Sequence, residues 1–203
     1  MPRPQRLSAD QILSAAERVF ARRGYADTSL RQLMAAARVS TTAFYARFAS
    51  KEAVLVALVD RLLGELHRGV GDELARAGSA QEGVERGADA IVATLSGHER
   101  LVAVMLGEGL SSPGVRRGVA RAHRALADLL SAPLTSVAQA AGAPPGDVGP
   151  LAWAFVGAVQ IQVARWAVFE EIDRAQLAAA LREVGHTFLP PMPGSAGSLP
   201  EPR

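Results

Sequence analysis

No stretch of this 203-residue chain alternates apolar and polar side chains as a half-buried strand requires, and no hairpin turn separates two such runs. Apolar residues recur instead at intervals of three and four, so the spacing predicts an all-α protein. Ser8-Ala9-Asp10-Gln11 has the form of a capping box, followed on one helical face by Ile12, Ala16, Val19 and Phe20, with Leu13 alongside. Arg22 and Arg23 suit a helix C-terminus, and Gly24 supplies a left-handed stop. A second helix is expected from Thr28 or Ser29, carrying Leu30, Leu33, Met34 and Ala37 inward. After a short turn at Arg38-Val39, Ser40 caps a third helix running to about Phe48, and Ser50 caps a long fourth helix to about Ala77. Three short helices, the last two joined by a tight turn, have the layout of a helix-turn-helix.

Further helices are predicted at 80–95, 98–109, 113–141, 148–169 and 173–188, with Pro133 kinking or splitting the third of these and Asp173 capping the last. Residues 142–146, Gly-Ala-Pro-Pro-Gly, form a loop. The tail at 190–203, rich in Pro, Gly and Ser, reads as disordered. The expected organisation is therefore a helix-turn-helix domain at 1–50, a helical domain at 51–189, and the tail. The most apolar stretch, residues 151–169, contains Gln160, Gln162 and Arg165, so it reads as a buried helix and not a membrane span. No apolar leader follows Met1, and a cytoplasmic location with no membrane partner is expected.

Charge is segregated. Residues 1–51 hold nine Arg/Lys against three Asp/Glu, whereas residues 52–203 hold thirteen against seventeen. A basic segment joined to an acidic one is the footprint of a nucleic-acid-binding module attached to another domain. The absence of cysteine excludes disulfides, thiolate metal sites and a cysteine nucleophile. The four histidines are scattered, with His98 and His123 expected to be exposed, and no glycine-rich phosphate loop is present. No catalytic residue, metal site or cofactor is expected, and the chain does not read as an enzyme.

Within the basic segment, Leu30, Leu33, Val39, Phe44 and Phe48 have the spacing of a small shared core. Thr41, Thr42, Tyr45 and Arg47 are then free to project from the third helix. Short hydroxyl side chains at a helix N-terminus reach base edges or phosphates without steric penalty. Lys51, the one lysine in the sequence, sits just after the cap of the fourth helix, where the macrodipole disfavours a cation unless a phosphate docks there.

Gly24-Tyr25, Thr28-Ser29-Leu30-Arg31, Leu33, Ala36-Ala37, Val39-Ser40, Phe44-Tyr45, Phe48 and Ser50-Lys51-Glu52 together resemble the DNA-binding domain of the TetR family of regulators, over about residues 8–60. The resemblance implies that Thr28 and Ser29 hold phosphate at the start of the second helix. By the same resemblance Ser40, Thr41 and Thr42 open the recognition helix, while Tyr45, Arg47 and Lys51 grip the backbone, with Arg3 and Arg6 as a flexible arm near the minor groove. The pattern is broken at Arg38, which replaces a turn glycine of positive φ and adds a cation near DNA. It is also broken at Met34, Thr42 and Arg47, so the operator sequence cannot be read across.

The resemblance also implies an all-helical domain that dimerises and binds a small-molecule effector. On the last helix Leu177, Leu181, Val184 and Phe188 share a stripe, and the helix before it carries Leu151, Phe155, Val156, Val159, Val163 and Val168 almost all round. Paired with a symmetry mate, these helices would make a four-helix interface; alone, they would serve the monomer core. For the effector, an apolar pocket with a few polar groups is expected, with Met105, Trp153, Phe155, Gln160, Gln162, Arg165 and Trp166 as candidate contacts. The expected function is a ligand-responsive repressor binding a palindromic operator as a homodimer. The alternatives are a DNA-bound adaptor acting through protein partners and an activator of the same fold.

Overall fold

The computed structural model describes residues 9–140, 142 and 146–189; the expected cap at Ser8, the arm residues Arg3 and Arg6, most of the 142–146 loop and the 190–203 tail lie outside the described residues. Among the described residues there are nine α-helices, one 3-10 turn and no strand. Local capping sets most of their starts. Helix α1 (Ala9–Arg23) buries Ile12, Leu13, Ala15, Ala16, Val19 and Phe20 and ends at Gly24, whose φ is +78°. Helix α2 (Leu30–Ala37) begins at a capping box, in which Ser29 and Gln32 satisfy one another's backbone N–H groups. Helix α3 (Thr41–Tyr45) is capped by Ser40 and is shorter than its sequence pattern suggests, although Phe48 N–H still donates to Phe44 O at 2.9 Å. Ser50 caps α4 (Lys51–Arg76) by accepting from Ala53 N–H.

Helices α5 (Ala80–Leu95) and α7 (Pro113–Ala140) pack on α4, while α8 (Gly149–Ala167) packs on α7, α9 (Arg174–Phe188) packs on α5, and α8 and α9 pack on each other. The helix expected at 98–109 divides into α6 (Glu99–Leu106) and a 3-10 turn at Glu108–Ser111. Pro133 does not split α7, which is one helix across it. One buried apolar cluster is continuous from Ile12 of α1, through Leu55, Leu58 and Leu62 of α4, to Leu177 and Leu181 of α9. The N-terminal helices are thus seated on the rest of the molecule through a shared core, with α4 common to both. Gly185 lets α9 lie directly on α5, since a Cβ at that position would collide with the Val84 side chain. No single helix among the described residues is long and apolar enough to cross a membrane.

Candidate functional site

The turn between α2 and α3 is closed by Arg38, which adopts φ +54° and ψ +43° and donates its N–H to Ala35 O and Met34 O. This is the left-handed conformation a glycine takes without strain. For an L residue it carries a penalty of about 1–2 kcal/mol. Arg38→Gly is therefore expected to stabilise the protein by about 0.5–1 kcal/mol once the glycine's greater unfolded-state entropy is subtracted. That corresponds to a thermal midpoint higher by about 2–4 °C, while operator affinity falls through loss of the guanidinium.

Beyond this turn α3 is anchored by Phe44, which is fully buried and meets the rings of Tyr45 and Phe48. Its outer face presents Thr41, Thr42, Tyr45 and Arg47, all exposed, with Tyr45 at 51%. Arg31 on α2, Arg38 in the turn and Arg47 just after α3 are exposed and make no ion pair among the described residues. Arg31 belongs with them, a position the sequence motif contains but whose charge was not singled out. Ser40 Oγ accepts from Ala43 N–H at 3.2 Å and retains its own hydrogen for donation. Ser29, by contrast, is committed in both directions to Gln32.

Two residues expected at phosphates make other bonds in this structure. Thr28 is buried, at 2% exposure, and its hydroxyl donates to Gly24 O at 2.7 Å, so it closes the α1–α2 turn and does not face outward. The Lys51 ammonium is turned inward as well. It donates to Tyr25 O at 2.7 Å and Ala26 O at 3.1 Å, and lies 4.3 Å from the centre of the Tyr25 ring. The cation that the helix dipole disfavours is held by two carbonyls and a ring face. Burial, then the Glu52 and Glu108 carboxylates, push the Tyr25 phenol above its usual range.

The α1–α2 turn is gripped from its other side by the α6 region. Glu108 Oε2 accepts from Ala26 N–H at 2.7 Å. Ser112, buried, donates its hydroxyl to Glu52 Oε1 at 2.6 Å while accepting from Val115 N–H. At the opposite end of α6, His98 pairs with Glu17 of α1, which also pairs with Arg61 at 2.7 Å. His98 is therefore half-buried, contrary to its expected exposure. Short sequence windows carry no signal for these contacts between elements, which link residues 44–82 positions apart.

The inner face of α6 borders a cavity of about 700 Å³ enclosed by α4, α5, α6, α7, α8 and α9. Of the seven candidate effector contacts, Met105, Phe155 and Gln160 line it. Trp153, Gln162, Arg165 and Trp166 do not. Trp153 is 46% exposed; Arg165 pairs with Gln162 and Glu171, both at 3.0 Å; Trp166 packs against the main core. The cavity-facing positions of α8 are Phe155, Val156, Val159, Gln160 and Val163, a helical stripe that leaves the other four off the line. His123, expected to be exposed, also lines the cavity, and burial lowers its pKa, leaving a neutral imidazole at neutral pH. Its spacing with Leu126, Leu130 and Pro133 on α7 is the signal that could have placed it there.

The α9 stripe is corrected too: Leu177 and Leu181 are buried in the monomer, and Phe188 packs edge-on against Phe155. Apart from Tyr45, the large apolar side chains exposed among the described residues are on and just beyond α8, at Leu151, Trp153, Ile161 and Phe169.

Residues 12–58 match a family model described as bacterial regulatory proteins, tetR family. Curated protein sequences give no match. Among solved structures, the chain is similar to a protein described as a TetR-family transcriptional regulator from Syntrophomonas wolfei, at 17% identity and a TM-score of 0.76, covering 92% of this chain and 97% of that one. It is similar to the regulator FadR from Bacillus subtilis in complex with stearoyl-CoA, at 22% identity and 0.73, covering 88% and 97%. It is also similar to the TetR-family regulator PfmR from Thermus thermophilus, at 23% identity and 0.68, covering 90% and 96%. These likenesses show a common all-helical fold.

Proposed function

We propose that this chain, whose residues 12–58 match the tetR family model, is a ligand-responsive repressor of that family that binds a palindromic operator as a homodimer in the cytoplasm. The observation that carries this reading is the placement of α6, with a large apolar cavity on one side and the α1–α2 turn on the other. Residues 1–50 serve as the DNA-reading domain and residues 51–189 as the effector-binding and dimerising one. Thr41 and Thr42 enter the major groove at the start of α3, and Ser40, Tyr45, Arg47, Arg38 and Arg31 contact phosphates or flanking base edges. Ser29 and Lys51 shape that surface from behind.

Dimerisation is supported by the exposed apolar side chains of α8, which a symmetry mate would cover in an isologous contact. The two α3 helices would then stand at the separation of successive major grooves, about 34–36 Å. An effector that binds better to a shifted α6 carries Glu108 and His98 with it, moves the α1–α2 turn, and lowers operator affinity by its differential binding energy. FadR, similar in fold, was solved in complex with stearoyl-CoA, a ligand with a long hydrocarbon chain, which supports a small-molecule effector here.

Selection from a random duplex library with the full-length protein tests the reading. Enrichment of an inverted repeat is expected, bound by a dimer with affinity that falls steeply with salt. Absence of any enriched sequence would remove the operator from the proposal and favour a partner-dependent adaptor.

A further inference from the structure

The cavity lining states what kind of molecule can occupy it. Among the described residues it contains no Asp, Glu, Lys or Arg, and its polar side chains are Ser79, His123, Ser136 and Gln160. Two of these are already committed to the backbone: Ser79 Oγ accepts from Glu82 N–H at the start of α5, and Ser136 Oγ donates to Ala132 O. The side chains of His123 on α7 and Gln160 on α8 make no hydrogen bond to any described residue. The rest is aliphatic and aromatic, including Leu66, Val102, Met105, Phe155 and Val159. The imidazole is held neutral by its burial, so it brings no charge to the cavity.

An anionic or cationic head would be buried there without a counter-charge, at a cost that burial of its tail does not offset. A neutral head is different. Hydroxyl, ketone or ester oxygens can accept from the Gln160 amide or exchange a hydrogen bond with the imidazole, satisfying both sides at once. Building on the reading of this chain as an effector-responsive regulator, we propose that the cavity takes an uncharged, largely hydrocarbon molecule with one hydrogen-bonding group, which His123 and Gln160 hold. The thioester-linked nucleotide of an acyl-CoA would have no cationic partner within the lining. The two polar residues set specificity, and the apolar walls set affinity and preferred chain length.

Isothermal titration of the full-length protein with octanol, decanol, methyl decanoate and sodium decanoate, at mildly alkaline pH, tests this. Decanol and methyl decanoate are expected to bind, each methylene between octanol and decanol tightening binding by about fourfold. Decanoate is expected to bind on the order of a hundredfold more weakly than decanol. The double variant His123→Phe, Gln160→Leu should lower decanol affinity by about tenfold while keeping the same gain per methylene, which shows an intact cavity. Decanoate binding as tightly as decanol, or no binding of either neutral probe, would overturn the proposal. Repeating the titrations with the selected operator bound separates the two inferences. Neutral probes that bind without lowering operator affinity uphold the cavity chemistry and sink the ligand-responsive regulator.

Discussion

Phe44→Ala is expected to abolish sequence-specific DNA binding while most of the helical circular-dichroism signal survives. Phe44 is wholly buried, and it ties the five residues of α3 to the N-terminal core. A helix that short has no independent stability, since nucleation is unfavourable and propagation over one turn does not recover it. Its orientation depends on the aromatic contacts of Phe44 and on the Ser40 cap. Truncation of a buried phenylalanine costs about 3–5 kcal/mol. The loss falls mainly on α3, because Phe44 is the buried residue by which that five-residue helix joins the core cluster, whereas Leu55, Leu58, Leu62 and Leu181 enter it from the long helices α4 and α9. Tyr45→Ala is the control: an exposed ring contributes within about 0.5 kcal/mol of stability. Its loss should nevertheless weaken operator binding by about tenfold if the hydroxyl holds a phosphate. Anisotropy with the selected operator, alongside thermal unfolding, reads both. Wild-type affinity for Phe44→Ala would sink α3 as the recognition helix.

The parts of this molecule that were legible in sequence are those decided within one helical turn. Ser29, Ser40, Ser50 and Asp173 were identifiable as caps because a cap is a bond to a backbone N–H two or three residues on. The left-handed turn at Arg38 followed from the family resemblance, in which a glycine holds that position. What sequence could not decide is which face of an apolar helix meets what. Helix α8 is hydrophobic almost all round, so no periodicity separates Phe155 and Gln160, on the cavity, from Trp153 and Arg165, off it. The α9 stripe of Leu177 and Leu181 was plain, but a stripe does not say whether its partner lies in the same chain or another. Side chains that span the fold were hidden for the same reason. The Glu108 carboxylate reaches Ala26 across 82 positions, a relation without a local signature.

Lys51 is where that limit has the largest functional consequence. A cation after a helix cap suggested a phosphate site, yet the ammonium braces the α1–α2 turn through Tyr25 O and Ala26 O. The two roles predict different salt behaviour. Lys51→Met is expected to destabilise the protein by about 2–3 kcal/mol, since it removes two charge-assisted hydrogen bonds and leaves two carbonyls to water. Operator affinity should fall by about tenfold as the turn, and α2 behind it, loosens. If Lys51 acts as a brace, the slope of log affinity against log salt stays as in the wild type, because no counterion-releasing contact is lost. Arg47→Ala provides the opposite pattern: unchanged stability, with a slope shallower by about 0.9, the contribution of one neutralised phosphate. A Lys51→Met variant of normal stability and shallower slope would show that the lysine swings outward onto DNA. The α1–α2 turn would then be held in the complex by Glu108 and Thr28 alone. That would make release of Lys51 from Tyr25 part of operator recognition, and would tie DNA affinity directly to the geometry of the α6 region.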